Sequence, residues 1–168
     1  GHHLENIVKD IQDLSDGFGV VRIDEAQKIR KLSNKKILLM QGVYSKKDLN
    51  TSIENNFDLV VHNMNQFEII KDANHYEGLW FKLNTGMNRL GFETNEFLEI
   101  YKQYLHDKKF TLMTHLASSN DTSSSSNESQ FKIFEDIASK LNKSIERSIA
   151  NTGCIMNYPN KTYDWVRC

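Results

Sequence analysis

Proline and cysteine are scarce in this chain. The 168 residues contain only Pro159, Cys154 and Cys168. The two cysteines form no CxxC pair and are too few for a disulfide scaffold, which points to a reduced, cytoplasmic setting. No apolar run approaches the roughly 18 residues needed to span a bilayer, and no signal-peptide pattern opens the chain. A net charge of -1 leaves no electrostatic case for nucleic acid or an anionic membrane as the main partner. Lysines and glutamates are dispersed, as on solvated helix faces. No repeat of roughly 20–50 residues is evident, which argues against a solenoid. No GxGxxG follows the first candidate strand, and no metal-ligand set is read. The abundant Asn, Lys and Ile reflect genome composition. His2 and His3 are either native or a purification remnant.

What is present is alternation. Leu4, Ile7, Val8, Ile11 and Leu14 fall at helical spacing. Gly17-Phe18-Gly19 reads as a break, followed by a β-branched strand at 20–23. Asp24 is placed to cap a helix with Ala26, Ile29 and Leu32 inward. Residues 37–40 form the next apolar run. Ser45 and Asp48 make a capping-box-like start for a helix with Leu49 and Ile53. A strand is expected at 58–61, a short helix around 67–70 and a strand at 79–83. Phe97, Ile100, Tyr101, Tyr104 and Leu105 form one helical stripe after Thr94. A strand follows at 110–113. Residues 120–129 are rich in Ser and Asn and read as an exposed, mobile loop. Phe131, Phe134, Ile137, Ala138 and Leu141 mark another helix, Ile149-Ala150 a short strand, and Trp165-Val166 a last one.

Strict β/α alternation without hairpin signals predicts a parallel sheet with helical crossovers. The seven candidate strands, the helix at the start and the strand at the end predict a TIM-type (β/α)8 barrel lacking strand one and the last helix. Complete barrels of this type take about 250 residues. An open doubly wound sheet is the structural alternative.

In parallel α/β folds ligands bind at the C-terminal ends of strands. Those ends offer Lys82, Arg89, His115, Asn151, Thr152 and Arg167. Two arginines, a histidine and a hydroxyl beside backbone amides suit an anionic, planar, phosphorylated ligand. Singly, each has a plainer reading. Lys82 can pair with an acid or reach the rim. Arg89 can be an exposed loop residue and His115 a satisfied core histidine. Asn151 and Thr152 can be a helix N-cap, and Arg167 can belong to a disordered terminus. Their shared placement favours a site.

The blocks DGFGVVRIDEA, ILLMQGV, LVVHN, KLNTGMNRLGF, THLAS, SIANTG and DWVR occur in one order. Together they resemble the N-terminal barrel of the alanine racemase family over residues 1–168. KLNTGMNRLGF is the most specific, against the family pattern K-x-[DN]-T-G-M-x-R-L-G. The resemblance implies a pyridoxal 5'-phosphate enzyme that interconverts L- and D-alanine, a homodimer, and D-alanine supply for peptidoglycan in the cell wall. It implies that Arg89 bonds the cofactor's phenolic oxygen and lies near the substrate carboxylate. Lys82 matches a position often carbamylated, where a carbamate would hold Arg89. His115 lies against the pyridine ring and contacts Arg167, which donates to the pyridine nitrogen. Asn151 and Thr152 match an Asn-Ser pair whose hydroxyl binds phosphate.

The family's Schiff-base lysine belongs to a K-A-N-A-Y-G-H-G block at the end of strand one. Its opposite-face tyrosine comes from a C-terminal β-domain. Neither is found in these residues, so the chain alone is expected to be an inactive fragment of a racemase. A non-catalytic pyridoxal-phosphate homeostasis barrel is the alternative from another functional class. The barrel half of a basic-amino-acid decarboxylase shares the fold but not the K-x-N-T-G-M-N-R-L-G run. Serine or broader amino-acid substrates share the barrel motifs.

Overall fold

The computed structural model describes residues 3–73, 76–142 and 144–168. Gly1 and His2, including the question of a native or added start, lie outside the described residues. The chain divides into two compact units, Gly1–Leu79 and Trp80–Cys168.

The first unit contains α1 (Leu4–Ile11), β1 (Gly17–Val20), α2 (Ile23–Arg30), β2 (Lys36–Leu39), α3 (Lys46–Glu54), β3 (Asp58–Val61) and α4 (Met64–Ile70). β1 pairs parallel with β2 from Gly17↔Lys36 to Val20↔Leu39, and β2 pairs parallel with β3 at Leu38↔Asp58 and Leu39↔Leu59. Ser45 caps α3 by accepting from the Asp48 amide at 3.1 Å, as expected. Leu49 of that helix is buried, whereas Ile53 is exposed. Of the expected apolar face of α1, Val8 is buried but Ile7, Ile11 and Leu14 are exposed.

Arg30 ties this unit together. Its guanidinium donates to the carbonyls of Ser33, Lys35, Asn55 and Asn56 at 2.9–3.1 Å and lies over the Phe57 ring. Burial lowers its pKa, and the four carbonyls compensate the lost hydration.

Two expectations here need correction. The first strand spans Gly17–Val20, not 20–23. A Cβ on Gly17 would lie 2.8 Å from the Lys36 carbonyl oxygen and 2.9 Å from the Lys36 Cβ. Glycine therefore permits close pairing with β2, where the sequence suggested a break. The next helix is capped at Arg22, whose amide donates to Glu25 at 3.1 Å. Asp24 lies inside the first turn and pairs with the Arg22 side chain.

The second unit contains β4 (Leu79–Lys82), α5 (Thr94–Ile100), β5 (Thr111–Met113), α6 (Ser125–Ala138), β6 (Glu146–Ser148) and the short α7 (Thr152–Asn157). α5 continues into a wider π-type turn over Tyr101–Leu105. β4, β5 and β6 pair in parallel, in the register Trp80↔Thr111↔Glu146, Phe81↔Leu112↔Arg147 and Lys82↔Met113↔Ser148. Phe81, at the centre of β4, is fully buried against the rings of Phe92, Phe97 and Phe110 at 5.5–6.2 Å. Such tilted and edge-on pairs add to the area they bury.

Residues 125–129 are not loop but the first turns of α6. Asn127 explains the difference. It is fully buried and donates to the Ser118 and Asp121 carbonyls and the Tyr158 hydroxyl. The run is mostly exposed, as expected, with Asn127 alone of residues 120–129 buried and anchoring it. Tyr104, expected on the apolar stripe, is exposed. The strand expected at Ile149-Ala150 lies earlier, at Glu146–Ser148. The seventh strand, at Trp165-Val166, reduces to a single bridge, Asn151↔Arg167.

The β1 geometry generates a test. Gly17→Ala is expected to destabilise the chain by about 2 kcal/mol, because backbone must move. Gly19→Ala in the same strand meets only the Met40 side chain, at 3.6 Å, and is expected to change stability by less than about 0.5 kcal/mol. Urea unfolding of the two variants checks the contrast.

Candidate functional site

All six residues singled out in the sequence lie in the second unit, at or just beyond the C-terminal ends of β4, β5 and β6. Parallel pairing puts these ends on one side of the unit's sheet.

Lys82 is the last residue of β4 and is buried. Beyond it the chain forms a closed loop. The Leu83 amide donates to the Met113 carbonyl at 2.8 Å, Asn84 N to Phe92 O at 2.9 Å, and Phe92 N to Lys82 O at 2.8 Å. Inside the loop Asn84 is the organiser. Its Oδ1 accepts from the Gly86 and Asn88 amides, and its Nδ2 donates to Asn88 Oδ1 and Glu93 Oε1. Gly86, Asn88 and Gly91 have φ of +132°, +56° and +125°, values open to glycine and, near +56°, to asparagine. A Cβ on Gly91 would also lie 2.6 Å from backbone atoms of Leu83 and Asn84. The result is a tight loop that presents Arg89 exposed at its apex.

His115 follows β5. Its carbonyl accepts from Gln130 Nε2 at 3.0 Å, and Gln130 also donates to Thr85 Oγ1 and accepts from the Ala117 amide. Thr85 Oγ1 and Thr114 Oγ1 share a buried hydrogen bond of 2.8 Å. This network fixes the loop after β4 to the segment after β5. Sequence reading missed Gln130, although its spacing from Phe134 and Ile137 marks it as a polar residue on the inward stripe of a helix.

Arg167 lies beside the end of β6. Its guanidinium donates to the Thr114 carbonyl at 2.6 Å and to the Ser148 hydroxyl, and its amide donates to the Ala150 carbonyl at 2.9 Å. It is anchored, not disordered. Asn151 caps α7, its Oδ1 accepting from the Cys154 amide at 3.0 Å and from Ser119 Oγ at 2.6 Å. Its side chain thus has the structural role foreseen as the plainer reading. Thr152 is the next residue and is exposed.

Lys82, Arg89, His115 and Arg167 lie within electrostatic range of one another. Burial first, then the charges of Arg89 and Arg167, push the Lys82 pKa down to about 8. Burial, then Arg167, Lys82 and Arg89, push His115 down to about 4. Burial lowers Arg167 to about 10. The charge of Arg167 acts on His115, while the guanidinium's hydrogen bonds go to Thr114 and Ser148. The charges acting on Lys82 and His115 are all positive.

A unit of parallel strands joined by helices, with a cationic cluster near its strand ends, is of the α/β class. Comparison with known proteins identifies the family. The model for "Alanine racemase, N-terminal domain" matches residues 1–168. The chain belongs to the alanine racemase N-terminal domain family. It is 34% identical over 177 residues to alanine racemase of Shewanella denitrificans, covering 99% of this chain and 48% of that relative. Alanine racemase of Coxiella burnetii is 33% identical over 174 residues, with 99% and 47% covered. The crystal structure of biosynthetic alanine racemase from Pseudomonas aeruginosa superimposes with a TM-score of 0.88 at 26% identity, covering 99% of this chain and 48% of that one. The structure of alanine racemase from Acinetobacter baumannii gives 0.87 at 32% identity, with 94% and 46% covered. The fold is therefore that of a partial TIM-type barrel with parallel strands. The chain spans about half the length of the curated relatives it matches.

The Lys82 environment has a measurable pH signature. With a pKa near 8 in the folded chain and about 10.4 unfolded, the protonated amine destabilises the fold fully below pH 8. That penalty fades as pH rises toward the unfolded value. Lys82→Met is therefore expected to raise the unfolding midpoint at pH 7 in CO2-free buffer, with the gain shrinking through pH 8 to 10. Thermal unfolding across that range checks it.

Proposed function

We propose that this chain is the barrel portion of a cytoplasmic, homodimeric, pyridoxal-phosphate-dependent alanine racemase that supplies D-alanine for the cell wall. The observation that carries the reading is the cluster near the strand ends in which the positive charges of Arg89 and Arg167 act on Lys82 and His115. The resemblance of the TGMNRLGF and DWVR blocks to the racemases favours this over a homeostasis barrel. One structural relative, from Bartonella henselae, is described with covalently bound pyridoxal phosphate; at 22% identity it is a relative in fold.

The donor set fits that coenzyme. Arg167 is held by two fixed acceptors and remains protonated at neutral pH even with its lowered pKa of about 10. It is suited to donate to a pyridine nitrogen without giving up a proton. Arg89 has a charged, exposed fork for the phenolic oxygen and the substrate carboxylate. His115, with a pKa near 4, is neutral at neutral pH and can lie against the ring without adding charge. Thr152 offers its exposed hydroxyl to the phosphate, beside Asn151. The coenzyme, when bound, supplies the electron withdrawal that makes the substrate's Cα proton acidic.

Lys82 is the residue for which the folded chain supplies an additional reason. A pKa near 8 leaves part of its amine neutral at neutral pH, the form that adds to CO2. Addition of the neutral amine to CO2 makes an N–C bond at the expense of one C=O π bond and releases one proton. Counted from the ammonium two protons leave, so a buried cation becomes an anion within range of Arg89 and Arg167. That removes the charge conflict at the base of the site.

The two bases needed at opposite faces of Cα are proposed to come from parts of the parent protein outside these 168 residues: a lysine after strand one and a tyrosine of a C-terminal β-domain. These residues alone are then inactive.

The test is an assay of L- to D-alanine conversion by the full-length protein with pyridoxal phosphate. Racemisation is expected, and Arg89→Lys is expected to lower kcat/KM on the order of 100-fold, because lysine loses the planar fork. Coenzyme binding without racemisation of any amino acid supports the homeostasis barrel instead.

A further inference from the structure

The segment that carries Arg167 is fastened at a distance from the site. Beyond α7 the chain turns over Pro159–Lys161 and then runs beside β6. The amides of Asp164 and Trp165 both donate to the Arg147 carbonyl, at 3.1 and 3.2 Å. The Arg147 amide donates to Asp164 Oδ2 at 2.8 Å, and Ser148 Oγ donates to the Trp165 carbonyl at 2.9 Å. The entry to this run is Tyr163, whose φ is +53°, a left-handed conformation unusual for a bulky residue.

The Tyr163 side chain accounts for how that conformation is held. Its hydroxyl donates to Glu135 Oε1 at 2.6 Å, and the same oxygen accepts from Lys161 Nζ at 2.5 Å. The Arg147 guanidinium covers one side of the ring at 4.7 Å, and the Phe134 ring lies at 5.9 Å. Phe134 and Glu135 both belong to α6. The turn is therefore tied to α6 through Glu135 and Phe134 and to β6 through Arg147. Burial and the Glu135 carboxylate keep the phenol protonated, while hydrogen bonds from Lys161 and Tyr163 keep Glu135 ionised.

We propose that Tyr163 and Glu135 are positioning residues for Arg167: their hydrogen bond holds the left-handed turn from which residues 164–167 run along β6, and so sets the guanidinium between the Thr114 carbonyl and the Ser148 hydroxyl. Residues with left-handed φ persist where surrounding contacts determine them. With the hydroxyl removed, the turn is free to relax toward ordinary φ, and the strap beyond it retains only its hydrogen bonds to β6. The consequence for catalysis rests on the racemase reading, whereas the consequence for Arg167 does not.

His115 is a reporter close to the guanidinium. The charged groups acting on it are Arg167, Lys82 and Arg89, with Arg167 the largest of the three. The experiment is an NMR titration of the His115 imidazole in the full chain without coenzyme, the signal assigned with His115→Gln. In the parent chain the midpoint is expected near 4. Arg167→Gln is expected to move it toward the ordinary value of about 6.5, and Tyr163→Phe to move it in the same direction. Ile137→Val, a core substitution elsewhere in α6, is expected to leave it in place. Glu135→Gln provides a second break of the clamp where Tyr163→Phe does not fold. An unchanged His115 midpoint in the clamp variants, with Arg167→Gln shifted, overturns the proposal. An unchanged midpoint in Arg167→Gln overturns the placement on which it depends. Failure of coenzyme binding in the full-length protein counts against the racemase reading alone.

Discussion

The controlling constraint in the second unit is repulsion. Lys82 and Arg167 are dehydrated by burial and lie within range of the exposed Arg89, and burial together with these charges keeps His115 neutral. Such an arrangement relaxes by side-chain movement unless it is held. The Arg167 side chain and the segments that carry His115 and Arg89 are held from outside the cluster. The guanidinium of Arg167 has its two acceptors, the segment after β5 has Gln130, and the loop bearing Arg89 has Asn84. The hydrogen-bonded frame keeps the segments that carry these charges assembled.

This division of labour also explains why one stretch of sequence is so specific. In the run from Asn84 to Gly91, most identities answer to backbone geometry. Asn84 must both accept from amides and donate to side chains, which aspartate cannot do. Gly86, Asn88 and Gly91 occupy positive φ. Arg89 is exposed on this loop and has ordinary backbone geometry. A motif of this kind identifies a family mainly through the turn it folds into.

The β/α order and most strand and helix positions were legible because alternation of apolar runs with helical stripes is a strong local signal. The placement of Lys82, His115 and Asn151 just at or after strands was legible because the apolar runs before them mark those strands. Other features depended on partners distant in sequence. Gly17 looked like a break because its requirement is set by Lys36 across the strand pair. The Ser/Asn run looked mobile because Asn127 finds its acceptors at Ser118 and Asp121 through the fold of the turn. The last strand shrank to one bridge because what fixes that segment is side-chain chemistry at Tyr163 and Arg167. In each case period and propensity described the residue, and tertiary context decided its use.

Arg30 in the first unit carries a different lesson. One side chain closes two separate turns, after α2 and after α3, by occupying four main-chain acceptors at once. Both turns lead directly into strands, so the starting points of β2 and β3 share a single pin. Sequence change in either turn is tolerable so long as its carbonyls keep their direction, since the guanidinium reads oxygen positions and ignores side-chain identity. The strands those turns launch therefore stay in step through any substitution that keeps the four carbonyls in place, with Asn56, at φ +52°, limited to residues that accept a left-handed backbone.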